Sequence, residues 1–228
     1  MSWKIKREIV PLGMLLAMVI LAVVYGPDLP ERVPSHFDTE GMPEETMSRT
    51  MFLFGIPGGV AFIYLLLTFL PTIDPLWKRI KPRYPVLLLL RDFVVGFLLM
   101  LYIITIIAVK EGRLSLVAMG VGLGILFALI GNYLPKVPRN WFFGIRTPWT
   151  LASEEVWKKT HIVGGWMFVA SGILTVVFSL AGLPLHLVVA CTLVPTVIVA
   201  GFVYPFLLFR KLQAPGDAAK GDASGGGY

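Results

Sequence analysis

Asn140, Arg146 and His161 have the side chains best suited to chemistry in this sequence. They share one stretch, Asn140-Trp-Phe-Phe-Gly-Ile-Arg-Thr-Pro-Trp-Thr-Leu-Ala-Ser-Glu-Glu-Val-Trp-Lys-Lys-Thr-His161. An arginine just after a glycine turn, with aromatic residues on both sides, has three uses. It can pair with a lipid phosphate, stack on Trp, or bind back to loop carbonyls. Thr147 suits the cap of a helix whose first residue is Pro148, because proline has no N–H to lose there. From that point Trp149, Ala152 and Val156 fall on one stripe. Glu154 with Lys158 and Glu155 with Lys159 form i,i+4 pairs in the favoured order. The pattern predicts a short amphipathic helix at about 148–160 lying in the membrane interface, its Trp side among the headgroups. That helix accounts for its four charges without catalysis. Asn140, Arg146, Trp149, Trp157 and His161 remain candidates for binding a ligand or partner, with anchoring as the competing role.

Two further groups carry charge where it needs a reason. Arg91 and Asp92 are adjacent, so they do not face each other on a helix and each needs its own partner. Arg91 lies about five residues, roughly 8 Å of helix, inside an apolar run. It either snorkels to the interface or lines a polar cavity between helices. The segment His36-Phe-Asp38-Thr-Glu40-Gly41 superficially resembles a calcium loop. With His36 at position 1, position 12 is Met47 where a bidentate Glu is required, which excludes calcium binding. His36, Asp38 and Glu40 stay as binding candidates for other partners.

The elements that hold these residues follow from composition. Of 228 residues, 56% are hydrophobic and 15% charged, against about 25% charged in soluble domains. Six apolar runs are long enough to cross a bilayer: Ile9–Tyr25, Met51–Leu70, Val86–Val109, Leu114–Leu134, Ile162–Leu180 and Leu183–Phe209. The first follows Lys4, Lys6 and Arg7 but no small-residue cleavage site, so it reads as a retained span. The expected fold is all-α, a polytopic membrane bundle of six transmembrane helices.

Lys and Arg collect on the cytoplasmic side of short loops. Fifteen of the twenty fall on one side: the N-terminal three, then Lys78, Arg79, Lys81 and Arg83, then Lys136, Arg139, Arg146, Lys158 and Lys159, and in the tail Arg210, Lys211 and Lys220. Arg32, Arg49, Lys110 and Arg113 fall on the other. Both termini are therefore expected inside. The net charge of +6 fits anionic inner-leaflet lipid rather than nucleic acid. The outer loop 26–50 is acidic, with Asp28, Glu31, Asp38, Glu40, Glu44 and Glu45 against Arg32 and Arg49. Pro27, Pro30, Pro34, Pro43 and Gly41 predict an ordered, turning connection there rather than a helix.

The same topology places His161 inside and His36 and His186 outside, which removes a three-histidine zinc site. Cys191 is the one cysteine and lies in an apolar run, so neither a disulfide framework nor a thiolate metal site is expected. No nucleophile–base pairing, metal-ligand spacing or phosphate loop stands out. The expectation is a non-enzymatic protein without cofactor or metal. No internal repeat is evident. Residues 213–228 are low in complexity and predict a disordered tail.

Two motifs carry a family resemblance. Asp28-Leu-Pro-Glu-Arg-Val-Pro-Ser-His36-Phe-Asp-Thr-Glu-Gly41-Met-Pro43 resembles the N-terminal domain of unknown function found in bacterial membrane proteins of the SdpI immunity family. Gly131-Asn-Tyr-Leu-Pro-Lys-Val-Pro-Arg-Asn140, Gly144-Ile-Arg-Thr-Pro-Trp149-Thr-Leu, Glu155-Val-Trp157 and Thr160-His161 resemble that family's C-terminal signature. The resemblance runs from about Leu12 to Leu180. It implies an N-terminal domain over 1–84 and an SdpI-like membrane domain over 85–212, in a bacterial cell membrane. It also implies resistance to a secreted antibacterial peptide toxin, with signalling through a transcriptional regulator held at the membrane. An acidic outer loop suits a cationic or amphipathic peptide, and a basic, Trp-rich inner surface suits a cytoplasmic partner. Membrane lipid is the remaining partner. The competing reading is a small transporter, channel or lipid-handling protein, supported by Pro57-Gly58-Gly59, Pro195, Pro205 and Arg91-Asp92 in apolar surroundings.

Overall fold

A computed structural model describes residues 5–213. Gln213 closes the last helix, and the rest of the tail expected over 213–228 lies outside the described residues. Six helical stretches are long and apolar enough to cross a membrane, as the apolar runs predict. The first is α1 (Ile9–Tyr25) with a 3-10 turn at Gly26–Asp28. The second joins a π-helical turn, Met51–Gly55, to α2 (Ile56–Phe69). After the short α3 (Trp77–Ile80) come α4 (Tyr84–Glu111) and α5 (Leu116–Tyr133). Then follow α6 (Pro148–Ala152), α7 (Glu154–Leu180), α8 (Leu185–Ile198) and α9 (Tyr204–Gln213), the last two joined by a second π-helical turn at Val199–Val203.

Both π turns sit just before a proline. Ile56 N–H reaches back to the Met51 carbonyl ahead of Pro57, and Tyr204 N–H to the Val199 carbonyl ahead of Pro205. Proline has no N–H to give, and the wider turn re-pairs the backbone so that the helix continues across it.

Two details differ from the sequence expectation. The connection after the first span, expected outside, is a β-hairpin, which adds a small sheet to the helical bundle. Strand β1 (Arg32–Phe37) pairs antiparallel with β2 (Pro43–Ser48), in register Val33 to Met47 and His36 to Glu45. A two-stranded sheet consists only of edges, so Pro34 and Pro43 are tolerated. The second difference is at Ser153, which is extended (φ −133°, ψ 127°) and splits the expected 148–160 helix. Its hydroxyl accepts the Val156 N–H at 3.3 Å and starts α7 at Glu154. Span five thus begins eight residues before Ile162. Residues 154–160, read as part of a separate interfacial helix, are its first two turns.

The hairpin is seated on the bundle. Asp38 Oδ1 accepts the N–H groups of Glu40 and Met42, both at 2.8 Å, which shapes the tip. Gly41 (φ +84°) offers its carbonyl to Leu114 N–H at 2.7 Å, in the connection between α4 and α5. Val33 is buried in a cluster with Met18, Phe52, Val60, Val95 and Tyr102, so α1, α2, α4 and the hairpin share one core.

The tightest helix pair is α5 against α7. A Cβ on Gly124 would lie 2.6 Å from the Gly172 carbonyl oxygen, and one on Gly131 2.7 Å from that of Gly165. Apolar side chains gain little by leaving lipid for protein, so close backbone packing is what holds such a crossing. On the far side of α7, Thr175 and Thr192 hydroxyls meet at 2.8 Å and join it to α8.

Candidate functional site

The signature segment folds into a loop that closes over the start of α7. Asn140 is its centre. Its Nδ2 donates to the carbonyls of Pro138 and Phe143 at 2.8 and 3.0 Å, and its Oδ1 accepts the N–H groups of Phe142 and Phe143 at 2.8 and 2.6 Å. Two donors and two acceptor sites exhaust the amide. The loop then turns at Gly144 (φ +99°), where a Cβ would lie 2.4 Å from His161 Nε2. Glycine is required there both for the backbone angle and for the approach of the ring.

His161 is buried and stacked on Trp157, ring centroids 4.0 Å apart. Its Nε2 accepts Ile145 N–H at 3.1 Å, and Nδ1 lies 2.8 Å from the Trp157 carbonyl, which assigns the Nδ1–H tautomer. Trp157 is buried too, its indole N–H donating to the Val137 carbonyl at 3.0 Å. Thr147 caps α6, and Thr150 returns the bond to the Thr147 N–H, a reciprocal capping box. Of the uses open to Arg146, the loop takes one: it is exposed, with Nη1 donating to the Trp141 carbonyl. Trp149 packs on Phe206 of α9 at 5.2 Å. The structure therefore brings Asn140, Arg146, Trp157 and His161 together and commits them largely to holding one loop shape.

The charges of α7 have partners beyond those expected from spacing. Lys159 meets Glu155 at 2.7 Å. Glu154 instead faces Arg139 and Arg79, at 3.4 and 3.5 Å, and so ties three segments together.

A second polar centre lies inside the bundle. Arg91 is fully buried and does not snorkel. Its Nη1 lies 2.9 Å from Glu8 Oε2 and donates to Thr68 Oγ1 at 2.7 Å. Its Nε donates to Asp92 Oδ1 at 2.9 Å. The Tyr64 hydroxyl donates to Glu8 at 2.7 Å, and the Tyr64 ring lies under the guanidinium at 4.7 Å. Adjacent residues on a helix rarely meet, yet Arg91 folds back onto Asp92 here because apolar surroundings leave no water to compete. Glu8, Tyr64 and Thr68 were missed in the sequence. Glu8 stands before the first span in an ordinary charged stretch, and nothing in the spacing signals that it reaches α4.

The candidates on the hairpin separate by role. Asp38 is spent on the hairpin tip. His36 pairs with Glu45 at 3.0 Å on an exposed surface, while Glu40 and Glu44 are exposed with no ion pair among the described residues. Among those residues no group of three metal-ligating side chains converges.

Comparison with known proteins places these parts. Residues 136–208 match the SdpI/YfhL protein family, and residues 13–61 match a domain of unknown function, DUF1648. The immunity protein SdpI of Bacillus subtilis (strain 168) is 25% identical over 213 residues, covering 91% of this chain and 98% of that relative. No solved structure matches the chain. The chain is thus a multi-pass bacterial cell-membrane protein with an SdpI/YfhL segment behind a DUF1648 segment. The hairpin lies in the first matched segment and the Asn140–His161 loop in the second. Arg91, Asp92 and Glu8 lie in neither.

Proposed function

We propose that this protein protects its cell against a secreted antibacterial peptide, which docks on the hairpin face, and that the Asn140–Trp149 face engages a cytoplasmic regulator. The observation that carries the reading is the hairpin itself. It presents Glu40, Glu44 and Glu45 outward while its Gly41 carbonyl is pinned to Leu114. A fixed acidic ledge above apolar helix ends complements a cationic amphipathic peptide in both charge and apolar surface. The likeness to an immunity protein over nearly the whole chain supports the same role. The lysines and arginines gathered on the other face support the hairpin's position outside. The division into a unit over 1–84 and one over 85–212 follows the same logic, with capture in the first and the regulator contact in the second.

The test is expression in a peptide-sensitive bacterium, challenged with a panel of membrane-active peptides. Protection against at least one cationic member is expected. Killing identical to the empty-vector strain across the panel contradicts the proposal.

A further inference from the structure

We infer that the free edge of β2 takes up a cationic peptide segment in extended form, as a third strand of the hairpin sheet. Edge pairing rests on the hairpin being the peptide-docking surface, and it specifies how that peptide is held. The two strands differ as templates. β1 lies against α4, and its Val33 and Phe37 pack into the bundle. In β2, five of the six residues are exposed.

The phase of the ladder identifies the unused backbone groups. Arg49 N–H donates to the Glu31 carbonyl at 2.9 Å, and the register then runs Arg32 to Ser48, Val33 to Met47 and Pro34 to Thr46. Hydrogen-bonded and non-bonded pairs alternate along an antiparallel ladder. Pro34 and Thr46 are therefore a non-bonded pair, each with its backbone groups turned away from the other strand. On β1 that outward position has no N–H to offer, because it is proline. On β2, Thr46 keeps its N–H and C=O, and Ser48 its N–H, without a backbone partner among the described residues.

Unused edge groups pair with any extended chain, and charge selects which one. Glu44 and Glu45 stand exposed next to Thr46, and β2 contains no cation. Glu45 meets His36, while Glu44 has no ion pair among the described residues. A second copy on the same edge would bring Glu44 and Glu45 of both chains into one short ladder, which like-charge repulsion opposes. A strand bearing Lys or Arg gains ion pairs instead. The edge is also preformed, since the bond from Leu114 N–H to the Gly41 carbonyl fixes the hairpin to the bundle. Little order is then lost on the protein side when a strand joins it.

The test uses the full-length protein in an uncharged detergent and a fluorescent octapeptide of alternating Lys and Val, with anisotropy as readout. Saturable binding is expected, weaker by about tenfold or more when Gln replaces Lys in the peptide. The lysine and valine amides lie on opposite edges of an extended chain. N-methylation of one set should abolish binding and of the other should spare it. Thr46→Pro removes the outward N–H without touching a ladder bond or a charge, at a kind of site that tolerates proline. It should weaken binding by about tenfold or more, while Thr46→Val, which keeps the N–H, should not. Thermal unfolding checks that the variants are folded, and the N-methylated peptides decide the matter on the wild type if Thr46→Pro is not. Absence of saturable binding overturns edge pairing. So does equal affinity of the two N-methylated peptides, equal affinity of the neutral peptide, or wild-type affinity in folded Thr46→Pro. A wild-type dimer that Thr46→Pro dissociates would overturn it too, by giving the edge to a second copy. No killing is measured here, so a failure of immunity in cells and a failure of edge pairing are read separately.

Discussion

Asp74 and Trp141 are joined across the bundle: Asp74 Oδ2 accepts the Trp141 backbone N–H at 2.7 Å, while its Oδ1 accepts Leu76 N–H at 2.7 Å. Asp74 is buried in the connection after α2, and Trp141 stands in the loop before α6. One carboxylate therefore shapes its own turn and holds the Asn140–Trp149 loop. Asp74→Ala leaves two backbone N–H groups without their acceptor, at a cost of about 1–3 kcal/mol per buried group. The expected result is a lowered unfolding temperature and faster hydrogen exchange at residues 140–146, measured by mass spectrometry.

The Glu8–Arg91 pair should rank high among single-residue sensitivities. Removing one partner from a buried ion pair costs about 3–5 kcal/mol, because the other charge is left stranded. Arg91→Leu strands both Glu8 and Asp92. Glu8→Gln leaves Arg91 with Asp92 and keeps an acceptor for Tyr64. Thermal unfolding in detergent should therefore show a larger loss for Arg91→Leu than for Glu8→Gln.

The α5–α7 crossing gives a comparison internal to the protein. Gly172→Ala places a methyl group 2.5 Å from the Gly124 carbonyl oxygen, against backbone that cannot yield. Gly13→Ala meets nothing within 4 Å on α1 and improves helix propensity by about 1 kcal/mol. Yield of folded protein after membrane extraction should collapse for the first and hold for the second.

Six spans, the Thr147 cap before Pro148 and an ordered, turning connection between the first two spans were readable in the sequence, because each rests on local chemistry or on apolar length. The break at Ser153 was not read, although its signal was present: a serine followed by Glu154 and Glu155 is a helix start. The stripe through Trp149, Ala152 and Val156 continued across it and masked it. Asn140 and His161 were read as binding candidates, and the structure shows both side chains bonded within their own loop; residue types alone do not distinguish a side chain offered to a ligand from one consumed by its loop. Glu8 and Asp74 were invisible for a different reason. Their partners lie 83 and 67 positions away, and no local pattern reports such a pairing.

Sidedness is open to chemical labelling because Cys191 is the single cysteine. In a Cys191→Ala background, Glu44→Cys should react with a membrane-impermeant maleimide in intact cells. Lys78→Cys, exposed on the opposite face, should react only after lysis. The reverse pattern would place the hairpin in the cytoplasm and remove it as a docking surface.

Peptide capture depends most heavily on the exposed acids of the hairpin. The direct measurement is the peptide dose for half-maximal killing of cells expressing the wild type or a Glu40→Gln, Glu44→Gln, Glu45→Gln variant at matched membrane levels. Loss of most of the protection by the variant, with the wild-type advantage shrinking as salt is raised, is the predicted result. Undiminished protection by the neutralised hairpin would contradict it.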